Sequence, residues 1–201
     1  WQESLNTLAI CMRDTYMDCP ERERGPYMGD ASNQIDAVLY SYDQAGLDMT
    51  KKAILACVAW TRTDGAIPSR APSVKPQEIP NQSLIFMTSV YHYWLHSGDR
   101  ETAAAYCEAF LNYLKMVEME NGLPVYREGS WTWNDWGDRI DTQLLQAGIY
   151  YYALNVTKSM ADELGITEDT GFLTERMDAM QENWRTAYYT EEGFKSPDSK
   201  Y

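Results

Sequence analysis

The sequence predicts an all-α fold built from antiparallel helical hairpins. Apolar residues recur every three or four positions along most of the 201 residues, which is the period of an amphipathic helix. Alternating apolar and polar runs bounded by turns, which indicate strands, are nearly absent. A chain of this length that is 44% hydrophobic can bury one sizeable core. We therefore expect residues 1–201 to form a single domain.

Seven segments carry the helical period. In chain order they are 1–16, 31–46, 49–63, 82–97, 100–118, 141–164 and 172–189. We expect Gly46, Gly98 and Gly165 each to end a helix, because glycine enters the left-handed conformation at little cost. Asp99 should cap the following helix by accepting a backbone hydrogen bond.

The polarity of the helices differs in a way that suggests inner and outer positions. Segment 84–95 is apolar nearly all round and 144–164 carries two apolar stripes, so both are expected to be buried on several sides. Segment 100–118 has one apolar stripe with charges opposite. This alternation is typical of an α/α toroid, and seven helices amount to about half of an (α/α)6 toroid of six hairpins.

The connections between the helices alternate between long and short. The long ones, near 17–30, 64–81 and 119–140, contain most of the prolines and the densest acidic and aromatic clusters. In a ring of antiparallel hairpins, alternate connections lie on opposite rims. The three long loops should therefore gather on one rim and form the functional site there.

Composition narrows the class of ligand. A formal charge of −13 argues against nucleic acid and against an anionic membrane surface, and no apolar run is long enough to span a bilayer. The four cysteines have no CxxC spacing and are expected to be mostly buried thiols, while His92 and His96 lack a third ligand nearby, so we expect no metal and no cofactor. A neutral carbohydrate is the expected partner. The chain starts directly in a helical pattern, so we expect it to be part of a longer polypeptide, and its compartment is not indicated.

The first long loop is the most informative segment. Residues 18–30 contain four carboxylates, two guanidiniums and a tyrosine, and they are interrupted by two prolines and two glycines. Carboxylates backed by arginines and an aromatic ring are suited to binding and protonating a sugar. On spacing alone, a solvated acidic loop whose arginines pair with its own acids is an equally good interpretation.

This loop resembles the signature of the bacterial α-L-rhamnosidases of glycoside hydrolase family 78, which are inverting enzymes with an (α/α)6 barrel. Asp18-Cys19-Pro20 matches the start of the signature and Gly29-Asp30-Ala31 matches its end. The resemblance implies that Glu23 is the general acid. It also implies that residues around Glu23 contact the sugar, namely Asp18, Arg22 and Asp30 at its hydroxyls and Tyr27 in place of a sugar-facing Trp.

Other segments fit the resemblance to different degrees. Asp135-Trp136 stands where the family has Gly-Asp-Trp, and we expect Trp136 to contact the ligand, while at least one of the loop's three indoles is expected to be buried in the rim. Pro80-Asn81-Gln82 stands where the family often has a Trp that lines the site. The family's catalytic base lies in a Gly-Glu-Trp segment that is absent here, so we expect the base beyond Tyr201, with accessory β domains elsewhere. Asp135 and Asp138 are weaker candidates for the base.

The proposed chemistry sets electrostatic expectations. A general acid must be protonated near neutral pH, so the pKa of Glu23 should be raised by burial and by the carboxylates of Asp18 and Asp30. Arg22 and Arg24 should then point away from Glu23. Asp30 precedes a predicted helix and could also act as its N-cap.

We therefore predict a glycoside hydrolase, specifically an inverting α-L-rhamnosidase that removes terminal rhamnose. Two alternatives stay open. One is a related toroid enzyme that acts on acidic sugars. The other is a non-catalytic sugar-binding module or helical-repeat interaction domain.

Overall fold

The structure, a computed structural model, describes residues 1–134, 136 and 140–194. Within this part of the chain, the seven predicted helices are present, together with two short antiparallel β-hairpins that the sequence did not indicate. The helices are α1 (Gln2–Cys11), α2 (Met28–Ser41), α3 (Gln44–Ala59), α4 (Pro80–Ser97), α5 (Arg100–Met116), α6 (Thr142–Leu164) and α7 (Gly171–Tyr188). The strands are β1 (Glu118–Glu120), β2 (Leu123–Val125), β3 (Tyr189–Thr190) and β4 (Gly193–Phe194).

The ends of α4, α5 and α6 follow the predicted capping. Gly98 and Gly165 are left-handed, with φ of 67° and 75°, and they end α4 and α6. Asp99 accepts a hydrogen bond of 3.1 Å from the backbone N–H of Thr102 at the start of α5. Partial burial raises the pKa of Asp99, but hydrogen bonds from Lys51 and Thr102 outweigh this and hold the pKa below its usual range.

The prediction that Gly46 ends a helix is wrong. The second helix ends at Ser41, and Gly46 lies buried within α3. A Cβ atom at this position would come within 2.6 Å of a Val38 side-chain carbon. Glycine is therefore needed at this point for the close approach of α2 and α3 rather than for a turn.

The core lies around α4, which packs against α2, α5 and α6. Residues on all sides of α4 are buried, among them Leu84, Phe86 and Trp94, as expected for an inner helix. Burial of α6 likewise extends from Gln146 to Ala161. These observations confirm the all-α class and the inner position of the two most apolar helices. No helix in the described ranges is apolar enough over a sufficient length to cross a membrane.

The three long loops meet on one side of the helices, as predicted. The backbone N–H of Met28 donates to the carbonyl of Ser69 at 2.8 Å, which joins the first loop to the second. The backbone N–H of Trp131 donates to the carbonyl of Glu78 at 2.9 Å, which joins the third loop to the second. Backbone hydrogen bonds therefore fix the relative positions of all three loops.

A buried ion pair strengthens the junction between the second and third loops. Glu78 is only 2% exposed, and its carboxylate accepts a hydrogen bond of 3.0 Å from the Tyr113 hydroxyl and another from the guanidinium of Arg127. Arg127 also contacts Asp64 at 3.3 Å. Because a carboxylate buried without partners is costly, Arg127 is expected to hold the third loop firmly against the second.

Candidate active site

A cleft of about 620 Å³ opens where the three long loops meet α2, α4 and α6. The lining residues are of two kinds. The polar ones are Asp18, Arg22, Glu23, Asp30, Asn33, Asn81, Gln82 and Asn134. The apolar and aromatic ones are Tyr27, Ile79, Ile85, Trp131, Trp133, Trp136, Leu145 and Ile149. The structure therefore brings together the sequence-predicted residues Asp18, Arg22, Glu23, Tyr27, Asp30 and Trp136.

The first loop is closed upon itself by Asp18 and Gly25. The carboxylate of Asp18 accepts a hydrogen bond of 2.8 Å from the Gly25 N–H, and the Asp18 N–H donates to the Gly25 carbonyl at 3.0 Å. A Cβ atom on Gly25 would come within 2.9 Å of the Tyr27 ring. Asp18 thus has a structural role in the loop in addition to lining the cleft.

Tyr27 and Asp30 are placed by the start of α2. Tyr27 is the residue just before the helix, and the guanidinium of Arg70 lies 5.0 Å from the centroid of its ring, a cation–π contact that holds the ring in place. The expectation that Asp30 is the N-cap is wrong, because the helix begins two residues earlier, at Met28. Asp30 lies instead in the first turn, where the positive end of the helix dipole favours a carboxylate.

The electrostatic expectation for Glu23 is wrong. The guanidinium of Arg22 forms an ion pair with one carboxylate oxygen of Glu23, and the Cys19 thiol donates to the other at 3.1 Å. The Arg22 contact, followed by that from Cys19, lowers the pKa of Glu23 to about 2. Arg22 therefore does not point away from Glu23, and Glu23 is an anion near neutral pH in this structure.

The pairing of Arg22 with Glu23 is easily reversed. The Arg22 side chain is 80% exposed, and ion pairs in contact with solvent contribute little to stability. In this arrangement Glu23 can accept hydrogen bonds but has no proton to give. Acid catalysis by Glu23 would require Arg22 to leave and water to be excluded, since both changes raise the pKa of a carboxylate.

Three indoles form the aromatic wall of the cleft. The ring centroids of Trp131 and Trp133 are 5.4 Å apart, and those of Trp133 and Trp136 are 4.9 Å apart with the rings nearly perpendicular. None of the three indoles is fully buried, since Trp133 is half-buried and Trp136 is 83% exposed. The ring of Trp136 is thus available to a ligand in the cleft. The weaker base candidates Asp135 and Asp138 lie outside the described residues.

Sequence reasoning assigned no role to Cys19, Asn81 or Gln82. Cys19 lies four residues before Glu23, and this spacing within the motif was the sequence signal for their contact. Asn81 is only 6% exposed, and its Nδ2 donates to the Tyr126 hydroxyl at 3.0 Å. Its Oδ1 and the Oε1 of Gln82 are shielded from solvent and have no hydrogen-bond partner among the residues that the structure describes. The sequence signal for the two amides was one of position alone, since Pro80-Asn81-Gln82 stands where the resemblance places a Trp that often lines the site.

Potential metal ligands occur at one point of the first loop. Ligand atoms of Asp18, Cys19 and Glu23 lie within 4.8 Å of one another. The Cys19–Glu23 contact is already a hydrogen bond, and acidic groups cluster on many protein surfaces without an ion. The two histidines have other partners, since His92 contacts Asp36 at 2.9 Å and His96 contacts the carbonyl of His92 at 2.9 Å. We derive no chemistry from a metal.

The whole chain, residues 1–201, matches the family model described as the bacterial alpha-L-rhamnosidase six-hairpin glycosidase domain. The chain is also similar in structure to a family 78 rhamnosidase of Bacillus sp. GL1, with a TM-score of 0.79 and 24% identity. It is similar to a rhamnosidase of Klebsiella oxytoca solved with rhamnose bound, with a TM-score of 0.74 and 19% identity. A third similar structure is the Streptomyces avermitilis α-L-rhamnosidase in complex with L-rhamnose, with a TM-score of 0.69 and 20% identity.

Each of these alignments covers 94% of the present chain but only part of the other protein. The covered share is 20% of the Bacillus chain, 38% of the Klebsiella chain and 19% of the Streptomyces chain. No curated protein matches the chain in sequence. The structural similarities show the fold, and they confirm the helical-hairpin architecture that the apolar pattern predicts.

Proposed function

The chain belongs to the bacterial α-L-rhamnosidase six-hairpin glycosidase family, and from this premise we propose that the protein containing it hydrolyses terminal α-L-rhamnosides with inversion. Residues 1–201 would then form part of the catalytic barrel. The observation that carries the proposal is the cleft itself, whose lining brings Glu23 and Asp30 together with three indoles. Carboxylates and aromatic rings in one cleft can bind the hydroxyls and the apolar face of a sugar at the same time.

The charges that line the cleft favour a neutral substrate. Among its described lining residues there are three carboxylates, on Asp18, Glu23 and Asp30, and one guanidinium, on Arg22. An anionic sugar would be repelled by this excess of negative charge. The hydroxyl groups of a neutral sugar can instead donate hydrogen bonds to the carboxylates. This supports rhamnose over a uronic acid.

Glu23 is proposed as the general acid, activated when substrate binds. A sugar in the cleft offers its hydroxyls to Arg22, whose side chain is largely exposed and can swing away from Glu23 with little loss of energy. The same sugar excludes water from around Glu23. Loss of the guanidinium and desolvation both raise the pKa of Glu23, so the carboxyl can take up a proton and deliver it to the leaving oxygen.

The remaining predicted residues bind the sugar. Asp30 accepts hydrogen bonds from its hydroxyls, as does the second oxygen of Asp18 that is not used by Gly25. Tyr27 and Trp136 contact its apolar face. Inversion also needs a second carboxylate about 6.5–9.5 Å from the acid, to activate water on the opposite face of the ring. We place this base in sequence beyond Tyr201.

The experiment compares Glu23→Gln with Glu21→Gln in the full-length protein. Glu21 is exposed, lies two residues away and does not line the cleft, so it serves as a matched control. Removal of a general acid should lower kcat for an alkyl α-L-rhamnoside by about 10²–10⁴-fold. The loss should be smaller for the 4-nitrophenyl rhamnoside, because nitrophenolate leaves without being protonated. Equal activity of Glu23→Gln and the wild type on the alkyl substrate would remove Glu23 from the role.

The stereochemistry is tested separately. Proton NMR of the first product formed from an α-rhamnoside should show β-L-rhamnose before it equilibrates. An initial α product would reject inversion while leaving hydrolysis intact.

The ion pair of Glu23 specifically favours one other function, a sugar-binding domain without turnover. An anionic Glu23 held by Arg22 is suited to accepting hydrogen bonds but not to donating a proton. In this case the full-length protein binds L-rhamnose in a calorimeter but releases no sugar from any rhamnoside. Turnover that depends on Glu23 excludes this function.

A further inference from the structure

Two buried amide oxygens at the cleft have no partner in the described structure. They are Oδ1 of Asn81 and Oε1 of Gln82, and both side chains line the cleft. A buried polar atom without a hydrogen bond is unfavourable, so such atoms are uncommon and call for a physical explanation. Two neighbouring instances at one cleft suggest that a ligand supplies the missing donors.

The amide of Asn81 is held in a fixed position. Its Nδ2 donates to the Tyr126 hydroxyl at 3.0 Å, and the same hydroxyl accepts from Nδ2 of Asn134 at 2.9 Å. Asn81 is 94% buried, being 6% exposed. One N–H of Nδ2 is used by Tyr126, and Oδ1 is an unused acceptor that a ligand reaches when the side chains covering it move aside.

The amide of Gln82 is placed by Gly29. A Cβ atom at Gly29 would lie 2.9 Å from Cγ and 3.2 Å from Cδ of Gln82, so the side chain passes closely over the glycine. Any larger residue at position 29 would displace Gln82. The terminal torsion of a glutamine is soft, so Oε1 can turn from its shielded position toward a donor in the cleft.

None of the described residues donates a hydrogen bond to either oxygen. Ile79 and Ile85, which also line the cleft, offer no polar side-chain atom. A ligand that fills the cleft can supply the donor. Hydroxyl groups of a neutral sugar are suitable donors, and a carbonyl oxygen accepts one without any change of charge.

We infer that Asn81 and Gln82 form an amide pair that recognises one ring hydroxyl of the sugar and so determines which sugar is accepted. This inference rests on the proposed function. Beyond that function, it says that the protein discriminates between a rhamnoside and the analogue that lacks the hydroxyl at one ring position. A site built to bond a hydroxyl rejects an analogue that lacks it, because the protein atoms then stay buried and unpaired.

The test uses the full-length protein and four 4-nitrophenyl glycosides. These are the α-L-rhamnoside and its 2-deoxy, 3-deoxy and 4-deoxy analogues, each measured as kcat/KM relative to the parent. The wild type should disfavour one of the three analogues by about 10–100-fold through the amide pair. In Gln82→Met and Asn81→Leu, which keep the side-chain volume, that penalty should fall to less than threefold. The penalties at the other two positions should be unchanged.

Controls keep the interpretation clear. Gln44→Met replaces an exposed glutamine on α3 and should retain all three wild-type penalties. Tyr126→Phe removes the hydroxyl that orients Asn81 and should weaken the same penalty even if Asn81→Leu fails to fold. Identical penalties in the wild type, Gln82→Met and Tyr126→Phe would overturn the inference. Failure of the wild type to hydrolyse the parent rhamnoside would instead reject the proposed function.

Discussion

Replacement of Arg127 by Met tests whether the buried ion pair holds the third loop in place. The change removes the guanidinium that contacts Glu78, which is 2% exposed, while keeping an apolar stem of similar length. Breaking a buried pair by removing one partner costs about 3–5 kcal/mol. Two features place this pair at the lower end of that range. The Arg127 side chain keeps 22% exposure, and the Tyr113 hydroxyl continues to donate to Glu78.

We therefore expect Arg127→Met to lower the free energy of unfolding by about 3 kcal/mol. For a domain of this size each kcal/mol shifts Tm by about 2–4 °C, so the expected decrease in Tm is about 6–12 °C. Urea unfolding followed by tryptophan fluorescence measures the free energy directly. Asp64 should not add to the loss, because Arg62 still pairs with it at 3.0 Å.

The double variant Glu78→Gln/Arg127→Met gives the decisive comparison. It removes the stranded charge as well as its partner, so it should regain at least half of the lost stability. Arg13→Met, at an exposed position, should change the unfolding free energy by no more than about 0.5 kcal/mol. The reasoning fails if Arg127→Met loses less than 1 kcal/mol, or if the double variant is no more stable than the single one.

Three further predictions concern the cleft and a helix cap. In the wild type the Arg22 contact, followed by that from Cys19, lowers the pKa of Glu23 to about 2. In Arg22→Leu this pKa should rise toward the ordinary value of about 4.3 and stay below it, because Cys19 still donates to the carboxylate. Carbon NMR of the side chain measures both midpoints, and a wild-type midpoint above 4 would contradict the pairing. Gly29→Ala should change the free energy of unfolding by less than about 1 kcal/mol, because alanine favours the helix while Gln82 can move aside. The same variant should lower kcat/KM for a rhamnoside several-fold. A large loss of stability would show that Gln82 cannot move. Asp99 has a lowered pKa in the folded protein, so its contribution is fully present above the unfolded value of about 3.9 and is lost as the pH falls from there through the lower folded-state pKa. Asp99→Ala should cost about 1–2 kcal/mol at pH 7 and only moderately less at pH 3, where the folded protein still keeps Asp99 ionised, as thermal unfolding at both pH values would show.

The helices could be predicted because the pattern of apolar residues determines them directly. Helices α4 and α6 are buried on several sides, and in the sequence their apolar residues fall on more than one face of each helix. The position of Gly46 could not be interpreted from sequence, because glycine serves two purposes. It can end a helix in the left-handed conformation, as Gly98 does, or allow two helices to approach closely. Only the packing of α3 against Val38 decides between them.

The place of the site was predictable, but the ionisation state of its central carboxyl was not. The alternation of long and short connections is a property of chain topology, and it correctly brought three loops to one rim. The pKa of Glu23 depends on where one exposed arginine side chain points. No periodic sequence pattern predicts the direction in which a loop side chain points. The equal alternative noted from spacing alone, in which the loop's arginines pair with its own acids, describes Arg22 and Glu23 correctly.

The cleft therefore contains two kinds of residue, which differ in how well the sequence predicts that they line it. Charged residues such as Glu23 and Asp30 are concentrated in one short motif, so sequence alone draws attention to them. The amides of Asn81 and Gln82 are uncharged, and Asn81 gains its orientation from Tyr126, which lies 45 residues further along the chain. Their importance follows only from burial without a partner, which is a property of the folded chain. For this reason, the residues that we propose select the sugar are harder to recognise in a sequence than the carboxyl that we propose as the general acid.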